Sequence, residues 1–358
     1  MGDMTRRTVG VEEEFLLVNE QGVPSPAAPV VIRQVPETAQ GELHQEQVEI
    51  ASRPATDLDT ITADLLERRR RLARAAGRAG VRVAALAVSP LPARPTSSPA
   101  ERHQRILAGY GQTARQNLIC GCHVHVGITS PAEGIAALNG IQPWLPALLA
   151  ISANSPFWDG ADTGYASYRR QLYDRWPTTG PTAPFRDPAE YHAVVGRLVD
   201  SGILLDPAMV SFDARLSIRY PTVEIRVADV SRHPHEAVVI AALGRALVDE
   251  AVADGSWPQA RPELLRAAAW QASRHGLSGD LLDPLTGRRV PAGQHLEQLV
   301  DRVRPALARH GDLDRVQTAL HDLLTHGTGA QRQRAAHARR GLLTDVVDSA
   351  VLHEPARA

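Results

Sequence analysis

The first third of the 358-residue chain sets short β-branched runs between polar punctuation. Residues 8–18, TVGVEEEFLLV, flank a charged centre with apolar side chains and end at Asn19-Glu20-Gln21-Gly22, a turn composition. This pattern predicts a first strand. A second extended segment is predicted over about 43–52, and Asp57 to Gly80 has the spacing of a helix with an arginine-rich exposed face and Gly80 as its stop. The run VRVAALAV at 81–88, halted by SPLP, predicts a short buried strand. A helix is expected within 99–117, a strand within 119–128, and a helix over 131–152 despite Pro143 and Pro146. Residues 154–191 are rich in Gly, Pro, aromatics and Arg without a clear period, the composition of a long structured loop over a site. Strand character returns over 209–230. From Pro234 onward, Ala, Leu and Arg recur at helical spacing, with breaks near 255–261, 277–293 and 326–330.

Strands joined by irregular connections and followed by helices predict an α+β fold, in which an antiparallel sheet carries the site and helices cover one face. One catalytic domain is expected over 1–358, with a sheet-rich core over 1–232 and a helical part over 233–358.

Composition narrows the partners. With 39 basic and 40 acidic residues the net charge is -1, which supplies no long-range field for nucleic acid or an anionic membrane. Small-molecule partners are favoured. Every basic side chain apart from histidine is arginine, since the sequence contains no lysine, and this excludes Schiff-base catalysis and a Walker A phosphate loop. No run approaches ~18 uninterrupted apolar residues, and the N-terminus lacks a signal-peptide core, so a cytoplasmic protein is expected. A homodimer is the base-rate expectation for assembly. Cys120 and Cys122, two apart in a predicted strand, cannot build a disulfide framework.

Four segments hold candidate chemistry. Glu12 and Glu14 project from one strand face about 6.8 Å apart along the chain. EEE reads either as a solvated strand end or, given VGV before it and FLLV after it, as a buried carboxylate pair that needs a cation. GELHQEQVEIASRP adds Glu42 and Glu49, with Glu46 between them, and such oxygen-rich sets suit Mg²⁺ or Mn²⁺ better than Zn²⁺. In CGCHVHVGI, alternation sends Cys120 and Cys122 one way and His123 and His125 the other, which argues against a four-ligand zinc site. In YPTVEIRVADV, Glu224, Arg226 and Ala228 alternate with Val223, Ile225 and Val227. Glu224 and Arg226 are then either a surface ion pair or a metal-ligating carboxylate beside an arginine that neutralises a phosphoryl group.

Taken together, these segments resemble the carboxylate-amine ligase family, glutamate-cysteine ligase type 2, within the glutamine synthetase-like superfamily. The resemblance rests on TVGVEEEFLLV, ELHQEQVEI, CGCHVHVGI, SANSPFWDGADTGYASYR and YPTVEIRVADV, in that order, with GTGAQRQR at 327–334 also similar. It implies a curved antiparallel sheet with helices on its convex face, binding ATP with Mg²⁺ or Mn²⁺. The implied metal ligands are Glu12, Glu14, Glu42, Glu49, Glu224 and His123. The resemblance places Arg226, assisted by Arg215, against the transferred phosphoryl group, and Arg169 on the substrate carboxylate. Tyr165 and Ser167 are expected in the same pocket, with His125 near the nucleotide or acceptor. The implied reaction activates a carboxylate as an acyl phosphate and passes it to an amine, with glutamate and cysteine as one candidate pair. His44 and Leu216 depart from the family pattern, where an aromatic and a proline are usual. Three competing functions are an ATP:guanidino phosphotransferase, a metal-dependent hydrolase built on His123, His125 and the glutamates, and a non-catalytic sensor.

Overall fold

The computed structural model describes residues 6–255 and 258–352. The break expected near 255–261 and the end of the helical part therefore lie partly outside the described residues. The central sheet is antiparallel throughout and contains β1 (Val9–Val18), β2 (Ala39–Gly41), β3 (Gln47–Ala51), β4 (Arg82–Ala84), β5 (Gly121–Gly127), β8 (Ala214–Leu216) and β9 (Thr222–Asp229). Between β5 and β8, the two-residue strands β6 (Phe157–Trp158) and β7 (Ala161–Asp162) pair separately. The order in the sheet is β2-β3-β1-β5-β9-β8, with β4 pairing the far end of β1. This is the predicted α+β arrangement.

Alternation along β1 explains its two faces. Val9, Val11, Glu13 and Phe15 are buried against helices, whereas Gly10, Glu12 and Glu14 face the other way and are half-buried. The covering layer is built from the helices Leu58–Arg78, Pro131–Ile141, Leu145–Ser152 and Pro234–Asp254. Asp57 starts the first of these by accepting from the Thr60 N–H, and Gly80 follows its end at φ 72°. The predicted helix over 131–152 is interrupted by a 3₁₀ turn at Gln142–Trp144, where Pro143 cannot continue the backbone ladder. This apolar segment is mostly buried inside the protein.

Two stretches differ from expectation. The interval 277–293 holds the hairpin Asp280–Asp283 and Arg288–Pro291, and the long loop after 154 ends in the helix Pro188–Asp200, capped by Asp187.

Glu13 is the charged member of the buried face, and its partner is Arg69, with Nε donating to Oε2 at 2.8 Å. Arg69 also donates to the carbonyls of Ser231 and Arg232, which ties the helix Leu58–Arg78 to the segment that follows β9. Removing one partner strands a charge in the core, so Arg69→Met is expected to lower stability by about 3–5 kcal/mol in urea unfolding. Glu13→Leu combined with Arg69→Met recovers much of that loss. A single-variant loss under about 1 kcal/mol would show that the pair is effectively solvated.

Candidate active site

Strand register brings the candidate residues into one row across the open face. Glu14 lies opposite Glu49, and Gln40 lies opposite Glu49 from the other side. Glu12 lies opposite His123, His125 opposite Glu224, and Glu224 opposite Arg215. These side chains line a cleft of about 670 Å³, which also takes in Glu42, Arg102, Arg219, Tyr220 and Arg226. A smaller recess of about 200 Å³ continues from it between Arg169, Tyr173, Trp176, Asn117 and Gln47.

The row contains two triads. Ligand atoms of Glu14, Glu42 and Glu49 lie within 4.8 Å of one another, and so do those of Glu12, His125 and Glu224. Among the described residues no arginine forms an ion pair with the first triad; Gln40 donates an amide hydrogen to Glu49 and the Gly121 N–H donates to Glu14 at 2.6 Å. Burial, then repulsion from Glu42, Glu12 and Glu14, raises the Glu49 carboxyl well above its usual range. Burial and the Glu14 charge push Glu42 up to about 7. Three oxygen donors under such strain fit a hard divalent cation.

The second triad is electrostatically different. Burial alone would raise Glu12, but the imidazoles of His123 and His125, at 3.4 and 3.3 Å, outweigh it and hold the carboxyl low. His125 Nδ1 meets Thr222 Oγ1 at 2.9 Å, while its buried Nε2 lies 3.3 Å from Glu12 Oε1 without the alignment of a hydrogen bond. A buried ring nitrogen that shares this space with two carboxylates and makes no aligned hydrogen bond fits a cation as well. Burial of Glu224 is likewise outweighed, here by Arg226 and then Arg215. Arg215 grips it through Nε at 2.7 Å and Nη2 at 3.1 Å, and Arg226 Nη1 also donates to it. His123 stands beside these groups and belongs to neither triad, so the geometry gathers His125 where the sequence pointed to His123.

A β-bulge shapes the far end of the row. Between the pairs Val124–Ile225 and Cys122–Ala228, His123 alone opposes Arg226 and Val227. The bulge reverses the phase of β9. Ala228, expected to share a face with Glu224 and Arg226, instead pairs with Cys122 and joins the core, whereas Asp229 pairs with Gly121 beneath Arg169. Cys120 and Cys122 are buried free thiols, raised by burial, and neither lines the cleft or the recess.

Arg169 is 1% exposed. Its guanidinium lies 4.0 Å from Asp229, over the Tyr173 ring at 5.2 Å, and against Gly121, where a Cβ would overlap it. Nε and Nη1 have no hydrogen-bond partner. A buried fork with two unused donors at the wall of a recess is ready for a carboxylate. Tyr165 and Ser167 do not share that recess. Ser167 Oγ donates to Asp229 at 2.8 Å, and the Tyr165 ring packs on Tyr168 and under Arg274.

Sequence reasoning missed Tyr173, whose hydroxyl accepts from Arg226 Nε at 3.0 Å while its ring supports Arg169. The i,i+4 spacing of Arg169 and Tyr173 was the available signal. Gly121 is another omission, legible as a glycine in an otherwise strand-forming run. The two departures are structural. His44 is buried against the Ala114 carbonyl at 3.0 Å, and Leu216 donates its backbone N–H to the Tyr191 hydroxyl, a bond proline could not make.

The sequence profile described as glutamate-cysteine ligase family 2 matches residues 8–349. The chain belongs to that family. Among curated relatives of this glutamate-cysteine ligase family 2 member, a Frankia alni protein provisionally named glutamate–cysteine ligase 2-2 is 48% identical, covering 96% of this chain and 95% of its own. A Streptomyces avermitilis protein provisionally named glutamate–cysteine ligase 2-1 is also 48% identical, covering 96% and 98%. By class the chain is an ATP-dependent carboxylate-amine ligase. Its fold is similar to that of the Francisella tularensis glutamate–cysteine ligase solved with AMP, with a TM-score of 0.74 at 12% identity over 96% of this chain and 87% of that one. A bifunctional glutathione synthetase from Pasteurella multocida gives a TM-score of 0.66 at 16% identity, over 96% and 50%. At such identities these two structures show the glutamine synthetase-like fold alone.

Proposed function

We propose that this ligase activates a carboxylic acid as an acyl phosphate with ATP and transfers the acyl group to an amine, releasing ADP and phosphate. The observation that carries this reading is one cleft holding two carboxylate-rich triads beside Arg215 and Arg226, with Arg169, whose Nε and Nη1 make no hydrogen bond, at the recess that continues from it. Glu14, Glu42 and Glu49 would hold one Mg²⁺ or Mn²⁺, and Glu12, His125 and Glu224 a second, supplying charge neutralisation to the nucleotide phosphates.

The remaining work falls to the chain itself. Arg226, braced by Tyr173 and Glu224, faces the cleft as a fixed cation for charge that moves with the phosphoryl group. Arg215 is its partner across Glu224. Arg169 orients the acid through its free Nε and Nη1, and the half-enclosed recess around Trp176 and Tyr173 limits water around the reacting carbonyl. The names of the relatives suggest glutamate as the acid and cysteine as the amine.

Purified protein with ATP and Mg²⁺, offered acids and amines singly and in pairs, is expected to release ADP with at least one pair and to form the corresponding amide. Glu224→Gln loosens Arg215 and Arg226 together and is expected to cut that rate by at least about a hundredfold. ADP release that needs no amine and phosphorylates a guanidino compound would overturn the ligase chemistry, as would amide hydrolysis without ATP.

A further inference from the structure

The C-terminal segment GTGAQRQR at 327–334 lies outside the residues lining the cleft, yet it grips the loop that leads into the helix Tyr168–Tyr173, which carries Arg169. Buried Gln333 donates through one amide nitrogen to the Asn154 backbone carbonyl at 2.8 Å and to its Oδ1 at 2.7 Å. Gly329 lies against the same side chain, where a Cβ would overlap Asn154, and the Ala330 N–H donates to the Ala153 carbonyl at 2.9 Å. Thr328 and Gln331 form a capping box that fixes the start of this helix. Arg334 holds the outer part of the loop at Asp162 and at the Tyr165 carbonyl.

From Asn154 the connection runs inward. Its N–H donates to Asp229 Oδ2 at 2.8 Å, and its side-chain amide donates to the carbonyls of Ala85 and Val230. Asp229 also accepts from Ser155 Oγ at 2.7 Å and Ser167 Oγ at 2.8 Å, and Ser155 Oγ in turn accepts the Arg169 N–H at 3.0 Å. The backbone and guanidinium of Arg169 are thus both referenced to one carboxylate. Gln333 fixes the residue that fixes that carboxylate. Hydrogen-bonded side chains in a dry interior have few alternative arrangements, so a change at one end is carried to the other.

We propose that GTGAQRQR is a positioning device for Arg169, with Gln333 as the positioning residue that sets affinity for the acid substrate. The proposal rests on the reading of Arg169 as the carboxylate-binding residue.

The test is a double-mutant cycle in the full-length enzyme, with L-glutamate as the first probe acid. Gln333→Ala is expected to raise KM for the acid on the order of tenfold, with KM for ATP unchanged within about twofold. In an Arg169→Lys background the same change should add nothing further, because the group it positions is gone. Val346→Ala, a core truncation in the neighbouring helix Leu343–Ala350, serves as the control for general loss of stability and should leave both KM values alone. Equal effects on both substrates, or full additivity with Arg169→Lys, would overturn the proposal. Should Gln333→Ala fail to fold, Gly329→Ala pushes Asn154 from the same side and must show the same split.

A crystal structure of the variant decides independently of turnover. Displacement of the Arg169 guanidinium from Gly121 and Tyr173, with the Glu12–Glu14 strand in place, upholds the device, and an unmoved Arg169 refutes it. If no acid in the panel supports ADP release by the wild type, the ligase reading falls while this structural arm still stands.

Discussion

Glu49→Gln makes the cation-free protein more stable and the enzyme nearly inactive. Glu49 is buried with Glu14 and Glu42, and its raised carboxyl records the cost of crowding like charges away from water. An amide keeps the shape and removes that cost, so the melting temperature without divalent cations should rise by about 2–4 °C. Addition of Mg²⁺ should then stabilise the wild type and leave the variant nearly unchanged. Turnover requires the charge that stability would discard. Losing several kcal/mol of charge stabilisation should slow ADP release on the order of a thousandfold. A variant that melts lower without cation, or keeps wild-type turnover, would show that the triad is not a cation site.

Glu42 gives the same idea a pH signature. Its carboxyl moves from 4.5 to about 7 on folding, so the folded protein binds more protons than the unfolded chain between those values. This group therefore makes stability fall as pH rises across that window. The melting-temperature advantage of Glu42→Gln over the wild type should grow from about pH 4.5 to 7 and level off above it. A constant difference would remove Glu42 from the crowded set.

Gly121→Ala should disable recognition of the acid while leaving Arg169 in the sequence. A Cβ at 121 would lie 2.8 Å from Arg169 Cζ and closer still to Nη2, so the guanidinium must leave its place beside Asp229, Tyr173 and the Arg226 carbonyl and shift toward the recess. Overpacking of this kind costs about 1–3 kcal/mol of stability. Displacing a positioning cation by about 1 Å should lower kcat/KM for the acid on the order of a hundredfold. KM for ATP should change less, because the added methyl meets the Arg169 guanidinium whereas Glu14 accepts only the Gly121 backbone N–H, at 2.6 Å. An enzyme unchanged toward its acid would show that Arg169 does not touch it.

The glutamate row was legible because alternation in a strand needs no knowledge of the partner. VEEEF places Glu12 and Glu14 together and Glu13 apart, and the structure does the same, giving Glu13 to Arg69 in the core. What depends on pairing was not legible. The bulge at Arg226–Val227 exists only against β5, so strict alternation placed Ala228 on the wrong face and overlooked Asp229. The choice between His123 and His125 turns on which imidazole reaches Glu224 across β9, a matter of register. Tyr165 and Ser167 were drawn to the recess by their nearness to Arg169 in sequence, but the chain turns into the helix Tyr168–Tyr173 there, which leaves Ser167 in the interior on Asp229 and Tyr165 against Tyr168 and Arg274. The hairpin at 280–291 lies in a stretch where a few residues of weak alternation carry little signal.

The row of cleft residues crosses β2, β3, β1, β5, β9 and β8, and only β2–β3 and β8–β9 are neighbours joined by a short connection. No local segment holds even one complete triad. A slip of one residue in β1 or β5 would turn every ligand on that strand into the helical layer and every core side chain out to water. The site thus comes into being only when distant parts of the chain have found their register, late in folding and all at once. A partly folded molecule of this enzyme has no weakened version of its cleft, so recovered catalysis counts finished molecules.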